Sequence, residues 1–245
     1  MMTFNQTIPG KTRVPRWKRG LDISLVAIAL PLLIPLGLVI AAIIRLVSNG
    51  PIFFKQERVG RGGQKFWCFK FRTMTTGADT VSHQGHLRDL IQSDTPMKKM
   101  DSDGDSRIIP FGVFIRALGL DELPQLINVV KGEMSIVGPR PCLPYEFELY
   151  LPWQRARCHA LPGLTGLWQV SGKNKTTFSE MIRLDIEYAN RCSLWLDLGI
   201  IFKTVPVLMS QASDTQKKGT LTPKAIEAEP ELEPEAMFSA QATNR

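Results

Sequence analysis

The chain has few of the residues from which metal sites and disulfide frameworks are built. Its 245 residues include four cysteines and three histidines. The cysteines form no CxxC pair, and the histidines show no metal-ligand spacing with them or with one another. This pattern argues against structural zinc and against a disulfide scaffold. Scattered cysteines of this kind are typical of reduced thiols in a cytosolic environment.

The chain also lacks the short fingerprints of nucleotide and calcium binding. Neither GK[ST] nor GxGxxG is present, so "GRGG" at 60–63 indicates a hairpin turn more than a phosphate loop. The stretch "DSDGDS" at 101–106 has Ser106 and Gly112 where an EF-hand needs glycine and glutamate, which favours a solvated turn.

The net charge of +7 brings no nucleic-acid motif with it. We find no zinc-finger spacing, no recognition-helix pattern and no RNA-binding aromatic motif in the sequence. A basic chain without these features suits an anionic bilayer surface or phosphate-bearing substrates. The sequence therefore predicts lipid and phosphate partners and no nucleic acid.

Charge is absent from one long stretch near the N-terminus. Residues 25–44 read "LVAIALPLLIPLGLVIAAII", twenty residues without a charged side chain. A helix of that length reaches about 30 Å, the thickness of a hydrocarbon core. A soluble core helix would carry polar residues every third or fourth position, and a cleaved signal would be shorter and followed by an Ala-x-Ala site. The stretch therefore predicts a membrane helix over 21–47.

Prolines and flanking charges predict how this helix meets the membrane. Pro31 and Pro35 lie inside it, where each removes a backbone hydrogen bond and favours a bend. Trp17, Lys18 and Arg19 precede it and resemble an interfacial anchor. Both flanks are basic, whereas a spanning helix leaves one flank poorer in cations. These features predict a re-entrant helix–break–helix with both ends on the cytoplasmic face, and a straight transmembrane helix remains the alternative.

The rest of the chain divides by composition. Residues 1–20 predict a flexible basic N-terminus, and the Pro- and Glu-rich residues 211–245 predict a disordered acidic tail. Residues 48–210 predict one domain in which β-formers around "GRGG" indicate a hairpin over 51–74 and apolar periodicity indicates short helices. The predicted fold class is α+β: a small, mostly helical catalytic domain with a short β-hairpin on a membrane anchor.

Two adjacent carboxylates, Asp121 and Glu122, begin the stretch "DELPQLINVVKG". Their local interpretation is structural, with Asp121 as the N-cap of a helix, Pro124 in its first turn and Gly132 as its stop. On these residues alone, helix stabilisation remains the simplest role for the pair.

Arginines favour a chemical role for the same pair. Three arginines have few acids near them in the sequence that could neutralise their charge: Arg72, Arg116 and Arg140. Arg140 lies between Pro139 and Pro141, so its backbone is fixed and its fork suits phosphate oxygens. One carboxylate can attack phosphorus, and a second can hold Mg²⁺ against a diphosphate. Together with the membrane segment, this pattern indicates phosphoryl chemistry on a lipid-borne phosphate.

Several longer stretches then make a resemblance specific: "KRGLD", "PIFFKQERVGRGGQKFWCFKFRTM", "LDELPQLINVVKGEMSIVGPRP", "LPGLTGLWQVSGKN" and "SLWLDL". In this order, over roughly residues 18–208, the chain resembles the bacterial sugar transferases, the monotopic phosphoglycosyl transferases. The resemblance implies transfer of hexose 1-phosphate from a UDP-sugar to undecaprenyl phosphate, at the start of exopolysaccharide, O-antigen or capsule synthesis. It also implies an inner-membrane enzyme with its catalytic domain on the cytoplasmic face.

The resemblance carries roles onto individual residues. Asp121 becomes the nucleophile of a covalent phosphosugar–aspartate intermediate, and Glu122 becomes the Mg²⁺ ligand. Candidate substrate and phosphate contacts are Lys70, Arg72, Arg116, Arg140 and Gln169. Asp185 and Asp197 are expected to be structural.

The membrane break departs from the family pattern. Ile34–Pro35 stands where the family usually has Ser-Pro at the membrane break, and an additional Pro31 precedes it.

The chain looks like the minimal catalytic form of the family, and its apolar helix offers a surface for a homodimer. A non-catalytic, membrane-anchored basic scaffold of polysaccharide assembly remains the alternative, and it would make Asp121 dispensable.

Overall fold

A computed structural model of the chain describes residues 14–75, 107–172 and 175–220, together with the single positions 85 and 96. The predictions for the first 13 residues, for the turn at 101–106 and for the tail after residue 220 lie outside these described residues.

The described residues form helices of very different length around two small sheets. The helices are α1 (Arg16–Val47), α2 (Gly112–Ala117), α3 (Leu126–Lys131), α4 (Pro144–Glu148), α5 (Leu167–Val170), α6 (Phe178–Arg191) and α7 (Leu194–Thr220). The strands are β1 (Phe53–Val59), β2 (Lys65–Phe71), β3 (Ser135–Val137) and β4 (Gly163–Thr165). Turns of 3-10 helix cover Arg61–Gly63, Leu120–Gln125 and Gln154–His159. The mixture confirms the predicted α+β class.

Helix α1 is continuous from Arg16 to Val47, with Pro31 and Pro35 inside it. The structure thus differs from the predicted helix–break–helix. Each proline removes one backbone donor, but the neighbouring residues keep their own bonds, so a helix can continue through a proline. The helix also starts before the predicted residue 21, so the last residues of the supposedly flexible segment are helical. Its 32 residues make it about 48 Å long.

One face of α1 packs on the domain at both ends. Towards the N-terminus, Lys18, Asp22 and Val26 are buried at helical spacing, and towards the C-terminus Ile40 and Ile44 are buried. Between these ends the other face is exposed and apolar: Ile28 is 77%, Leu32 72% and Leu38 66% exposed. The helix is therefore attached to the domain along one side and bare along the other.

The residues predicted to anchor the helix in the interface instead bind the domain. Lys18 is 2% exposed, and its ammonium donates to the Val137 carbonyl over 2.9 Å. Arg19 donates to the last carbonyls of α3, those of Val129 at 2.6 Å and Val130 at 3.0 Å. The anchor prediction is wrong for both cations because the first turn of α1 lies against the folded domain.

The predicted hairpin is confirmed. Strands β1 and β2 are antiparallel, with Phe53 opposite Phe71 and Val59 opposite Lys65. Between them "RGG" forms a 3-10 turn in which Gly62 takes φ 68°, a left-handed conformation that favours glycine. Lys70 lies near the end of β2.

The stretch around the two carboxylates is helical, but it begins differently from the prediction. Gly119, with φ 68°, precedes a 3-10 turn over Leu120–Gln125, and α3 follows directly. Asp121 is thus the second residue of a 3-10 turn and makes no side-chain cap, which corrects its prediction as an N-cap. Gly132, with φ 80°, ends α3 as predicted.

Strands β3 and β4 are parallel and hold the Gly-Pro-Arg-Pro turn. At their ends the backbones of Gly138 and Gly163 approach so closely that a Cβ built on Gly163 would lie 2.1 Å from the Gly138 nitrogen. Only glycine fits there, which explains why both motifs carry it. Residues Pro139 to Pro141 then leave the sheet with a fixed direction.

Helices α6 and α7 complete the domain. The Thr177 hydroxyl caps α6 by accepting a hydrogen bond from the Glu180 N–H at 3.2 Å. The Glu180 carboxylate in turn accepts a hydrogen bond from the Thr177 N–H at 2.8 Å. Helix α7 continues to Thr220, ten residues into the predicted tail. Among the described residues, α1 and 194–211 of α7 are long and apolar enough to cross a membrane.

Candidate active site

The two carboxylates of the 3-10 turn meet a lysine from β2. The Lys70 ammonium lies 2.7 Å from a Glu122 oxygen and 3.8 Å from an Asp121 oxygen. The side chains are partly open to solvent: Asp121 is 14%, Lys70 26% and Glu122 37% exposed. We call these three residues the carboxylate site. Sequence reasoning had selected all three but had assigned Lys70 to phosphate, whereas the structure pairs it with the carboxylates.

Burial and neighbouring charges act in opposite directions on Asp121. Loss of water raises the pKa of its carboxyl, and the Glu122 charge raises that pKa further. The positive charges of Lys70 and Arg116 lower it, but the net effect is a raised pKa. For Lys70, burial alone would lower the pKa of the ammonium, but Glu122 and Asp121 outweigh this and raise it. The lysine therefore stays charged and offsets part of the cost of ionising Asp121.

The geometry suits a carboxylate nucleophile. Partial loss of hydration makes a carboxylate more reactive, and the neighbouring cation keeps it ionised. The side chain also remains accessible to a substrate from solvent. Arg116, in the last turn of α2, adds a second positive charge that lowers the pKa of Asp121. The fold thus brings together four of the residues predicted from the sequence: Asp121, Glu122, Lys70 and Arg116.

The donor set also fits Mg²⁺ of the substrate-bound type. That ion usually takes one or two protein carboxylates and completes its shell with water and substrate phosphates. Adjacent carboxylates of Asp121 and Glu122 meet this requirement, and a buried Asp121 with a raised pKa gains from a second cation. The described part of the chain holds no group of three or more metal-ligating side chains, so a fully protein-bound site is not formed there.

Arg140 belongs to a different cluster. Its guanidinium is 33% exposed and lies 3.7 Å from a Glu146 oxygen on α4. The backbone carbonyl of Arg140 accepts a hydrogen bond from Arg157 at 3.0 Å. Arg140 also lines a shallow cavity with Pro139, Arg157 and other residues of the β3–β4 end. The predicted phosphate clamp is therefore at the surface, with a buried support behind it.

That support consists of three buried charged groups and a tyrosine hydroxyl, which we call the Arg157 cluster: Arg157, Asp185, Glu146 and Tyr150. Arg157 forms an ion pair with Asp185 and another, at 3.7 Å, with Glu146. The Tyr150 hydroxyl donates to Glu146 over 2.6 Å. All four side chains are at most 3% exposed. This confirms the structural role predicted for Asp185.

Two predicted contact residues lie elsewhere. Arg72 is 5% exposed and donates to the carbonyls of Asn49 at 2.6 Å and Ser48 at 2.9 Å. These donors hold the chain just after α1, so Arg72 is placed as a structural residue and not as a phosphate contact. Gln169 lies on α5, and its buried Oε1 has no hydrogen-bond partner among the described residues.

Sequence reasoning missed the contacts that dock α1. The Lys18 ammonium lies 2.6 Å from Asp197 and 2.8 Å from the Tyr188 hydroxyl. Asp22 accepts hydrogen bonds from the Ser135 hydroxyl at 2.8 Å and the Ile136 N–H at 2.9 Å. The available signal was the i, i+4 spacing of the two charges in "KRGLD", which puts them on one helix face. The structural role predicted for Asp197 is confirmed.

Known proteins resemble this chain over most of its length. The family model described as bacterial sugar transferase matches residues 13–211. The exopolysaccharide production protein ExoY of Rhizobium meliloti (strain 1021) is 40% identical over 199 residues, which cover 80% of this chain and 87% of that protein.

Two further relatives are named by the reaction that they carry out. The UDP-glucose:undecaprenyl-phosphate glucose-1-phosphate transferase of Caulobacter vibrioides is 41% identical over 201 residues, covering 79% of this chain and 70% of that protein. The undecaprenyl-phosphate galactose phosphotransferase of Salmonella typhimurium is 40% identical over 188 residues, covering 77% of this chain and 38% of that protein. With a family model that matches most of its length, the chain belongs to the bacterial sugar transferase family, as its motifs predicted.

Proposed function

We propose that this sugar transferase moves hexose 1-phosphate from a UDP-sugar to undecaprenyl phosphate and so starts the synthesis of an exopolysaccharide or a related surface glycan. Two kinds of observation support the proposal. Relatives about 40% identical are named for transfer to undecaprenyl phosphate. The carboxylate site offers a partly desolvated Asp121 beside a lysine that also contacts a second carboxylate, Glu122.

In the first half-reaction, an Asp121 oxygen forms a bond to the phosphorus that bears the sugar. The bond between that phosphorus and the bridging oxygen of the diphosphate breaks, and UMP leaves with the electron pair. Lys70 keeps Asp121 ionised and aligned for this attack, because its charge opposes the effect of burial. The product is a phosphosugar covalently linked to Asp121.

In the second half-reaction, a phosphate oxygen of undecaprenyl phosphate attacks the same phosphorus. The bond to Asp121 breaks and its carboxylate is restored, so the enzyme returns to its starting state. Donor and acceptor use the same site in turn, which predicts ping-pong kinetics.

Positive charges and Mg²⁺ have separate roles in this scheme. Glu122, with Asp121 beside it, would hold the ion, which supplies neutralisation of the diphosphate charge. Arg116 is near enough to Asp121 to affect its pKa and is assigned to the transferred phosphate. Arg140, exposed at the end of β3, is assigned to the remaining phosphate of the donor.

The observation that carries the proposal is the contact of Asp121 with Lys70, and replacing Asp121 tests it. We expect Asp121→Asn to lower the rate of UMP release by about a thousandfold or more, because an amide cannot form the acyl phosphate. The assay uses purified enzyme with Mg²⁺, undecaprenyl phosphate and UDP-glucose, UDP-galactose or UDP-N-acetylgalactosamine. The matched control is Glu57→Gln, an acid-to-amide change at a residue 39% exposed on β1.

A trapping experiment tests the covalent step directly. Without acceptor lipid, the wild-type chain should gain the mass of one hexose phosphate from the best UDP-sugar, and Asp121→Asn should gain none. Near wild-type UMP release by Asp121→Asn would contradict the proposal and favour the scaffold alternative.

We also place the enzyme on the cytoplasmic face of the inner membrane, with α1 entering one leaflet without crossing it. Both ends of α1 are held by the same folded domain: Lys18 at one end, and Ser48 and Asn49, bonded to Arg72, just beyond the other. A helix that crossed the membrane would have to release one of these ends. The exposed apolar side of its middle then faces lipid.

Labelling of single cysteines tests this topology. Arg16 and Lys55 are exposed near the two ends, and Cys192 is the native cysteine outside the buried set, so the background is Cys192→Ser. Arg16→Cys and Lys55→Cys should both react with an impermeant maleimide in inside-out vesicles and neither in spheroplasts. Reaction of the two sites from opposite sides would contradict the topology.

A further inference from the structure

We propose that Glu146 is a positioning residue that orients the Arg140 guanidinium towards the diphosphate of the sugar donor. The inference deepens the proposed function, since it rests on the assignment of Arg140 to that diphosphate. Glu146 lies on α4 and was not among the residues selected from the sequence.

Glu146 is a fully buried carboxylate that stays charged. Its side chain is 0% exposed, and one oxygen accepts from the Tyr150 hydroxyl at 2.6 Å while the other accepts from the Leu143 N–H at 3.1 Å. Burial would raise the pKa of its carboxyl, but the charges of Arg140 and Arg157 outweigh burial and lower it. The carboxylate is therefore fixed in position from two sides and ionised at neutral pH.

Arg140 is held at its backbone and at one point of its side chain. Its carbonyl accepts from Arg157 at 3.0 Å, and the flanking prolines restrict the main chain. Across the described residues, the contact of its guanidinium with Glu146, at 3.7 Å, is the one ion pair found for this side chain. Burial lowers the pKa of the Arg58 guanidinium, and the nearby charge of Arg140 lowers it further, so the two cations repel each other. Glu146 therefore decides where the exposed guanidinium lies.

The charge balance argues that Glu146 does more than neutralise the core. Arg157 already has Asp185 as an ion-pair partner. Taken with Arg58 and Arg140, the cluster has three guanidinium groups and two carboxylates, Glu146 and Asp185. One positive charge remains in excess, and Arg140 is its exposed member. This excess positive charge suits a phosphate, and Glu146 orients the guanidinium that carries it.

A double-mutant cycle separates positioning from stability. Glu146→Gln, Arg140→Ala and the double variant are assayed for kcat/KM with the UDP-sugar that the wild type turns over fastest. We expect Glu146→Gln to lower kcat/KM about tenfold, since a misplaced contact group is costly. In the Arg140→Ala background the same change should lower kcat/KM less than twofold. Thermal unfolding is measured on all four proteins, because a loss of stability should appear in both backgrounds.

The outcomes distinguish this inference from the function beneath it. Equal losses of kcat/KM from Glu146→Gln in both backgrounds would overturn the positioning role and leave the proposed function intact. If Arg140→Ala itself leaves kcat/KM unchanged, the diphosphate assignment and the positioning role both fall. If the wild-type chain releases no UMP from any UDP-sugar, the proposed function fails first.

A second variant keeps the test valid if Glu146→Gln does not fold. Glu146→Asp keeps a buried charge for Arg157 but withdraws it by about 1.5 Å, one carbon–carbon bond. It should lower kcat/KM in the Arg140 background and have no effect in the Arg140→Ala background. Asp185→Asn is the matched control, because Asp185 pairs with Arg157 and not with Arg140. We expect it to lower the unfolding temperature and to leave kcat/KM for the UDP-sugar within twofold.

Discussion

The carboxylate site and the Arg157 cluster are built from the same residue types and differ in their access to water. In the first, Lys70 meets Asp121 and Glu122 with 14–37% of each side chain exposed. In the second, Arg157 meets Asp185 and Glu146 with 1% or less exposed. Opposite charges attract in both places, but only the first can admit a substrate.

Burial also explains why the two clusters affect different properties of the protein. In the Arg157 cluster each charge depends on its partners, because an unpaired ion is costly in the protein interior. In the carboxylate site solvent screens the charges and reduces that cost, so a change there acts mainly on the reactivity of Asp121. The comparison predicts that damage to the Arg157 cluster unfolds the domain, whereas damage to the carboxylate site slows the reaction.

The largest expected effect comes from Arg157→Met. The variant leaves the buried carboxylates of Asp185 and Glu146 without their common partner, and breaking such a buried pair costs about 3–5 kcal/mol. We expect a large fall in the free energy of unfolding, measured by denaturant titration of the purified enzyme in lipid nanodiscs. A loss of activity with unchanged stability would contradict the structural role of the cluster.

A smaller effect on activity is expected from Lys70→Met. Without this ammonium, kcat/KM for the UDP-sugar should fall roughly tenfold to a hundredfold, the range of a 1.4–2.8 kcal/mol loss. The pH dependence of kcat/KM should also shift, in a direction set by the effect of Lys70 on the pKa of Asp121. In the proposed reaction Asp121 attacks in its ionised form. Lys70 lowers the pKa of that carboxyl, so removal of Lys70 raises the pKa further. The acidic limb of the pH–rate profile should therefore move to higher pH.

The wild-type profile supplies the reference for that shift. Since burial raises the pKa of Asp121 above its ordinary value of 3.8, the acidic limb should already lie above pH 3.8. A limb that stays in place in Lys70→Met would show that Lys70 acts on the substrate and not on Asp121. That result would restore the original sequence prediction for Lys70.

The smallest effect is expected from Lys65→Met, the control for both clusters. Lys65 and Glu57 form an ion pair of 3.0 Å, but each side chain is 39% exposed. Exposed pairs of this kind contribute about 0.2–1 kcal/mol. Unfolding free energy and UMP release should both stay close to the wild type. A loss as large as that of Arg157→Met would mean that burial is not what separates the clusters.

The sequence was most informative where a local pattern had a single physical meaning. The hairpin around "GRGG" and the end of α3 at Gly132 were both predicted and are confirmed. The family was predicted from motifs in their order, and it is confirmed by the comparisons. Asp121, Glu122, Lys70 and Arg116 were selected and do lie together.

Predictions that depended on distant partners were less successful. Arg72 was selected because few acids lie near it in the sequence, but its guanidinium donates to the carbonyls of Ser48 and Asn49, just beyond the end of α1. Lys18 was assigned to the membrane interface because cations beside tryptophan often lie there, but its partners are Val137, Tyr188 and Asp197. Each partner of Lys18 is more than a hundred residues away, and no local rule reaches that far.

By itself, the sequence determined the apolar segment, the adjacent carboxylates, the family and the class of chemistry. These depend on composition and on spacing over a few residues, which local backbone geometry converts directly into structure. Only the tertiary structure decided that Lys70 lies beside Asp121, that Arg72 is structural and that Glu146 contacts Arg140 from the buried side. The partner of a buried charge is set by which elements pack together, and that packing depends on the whole chain at once.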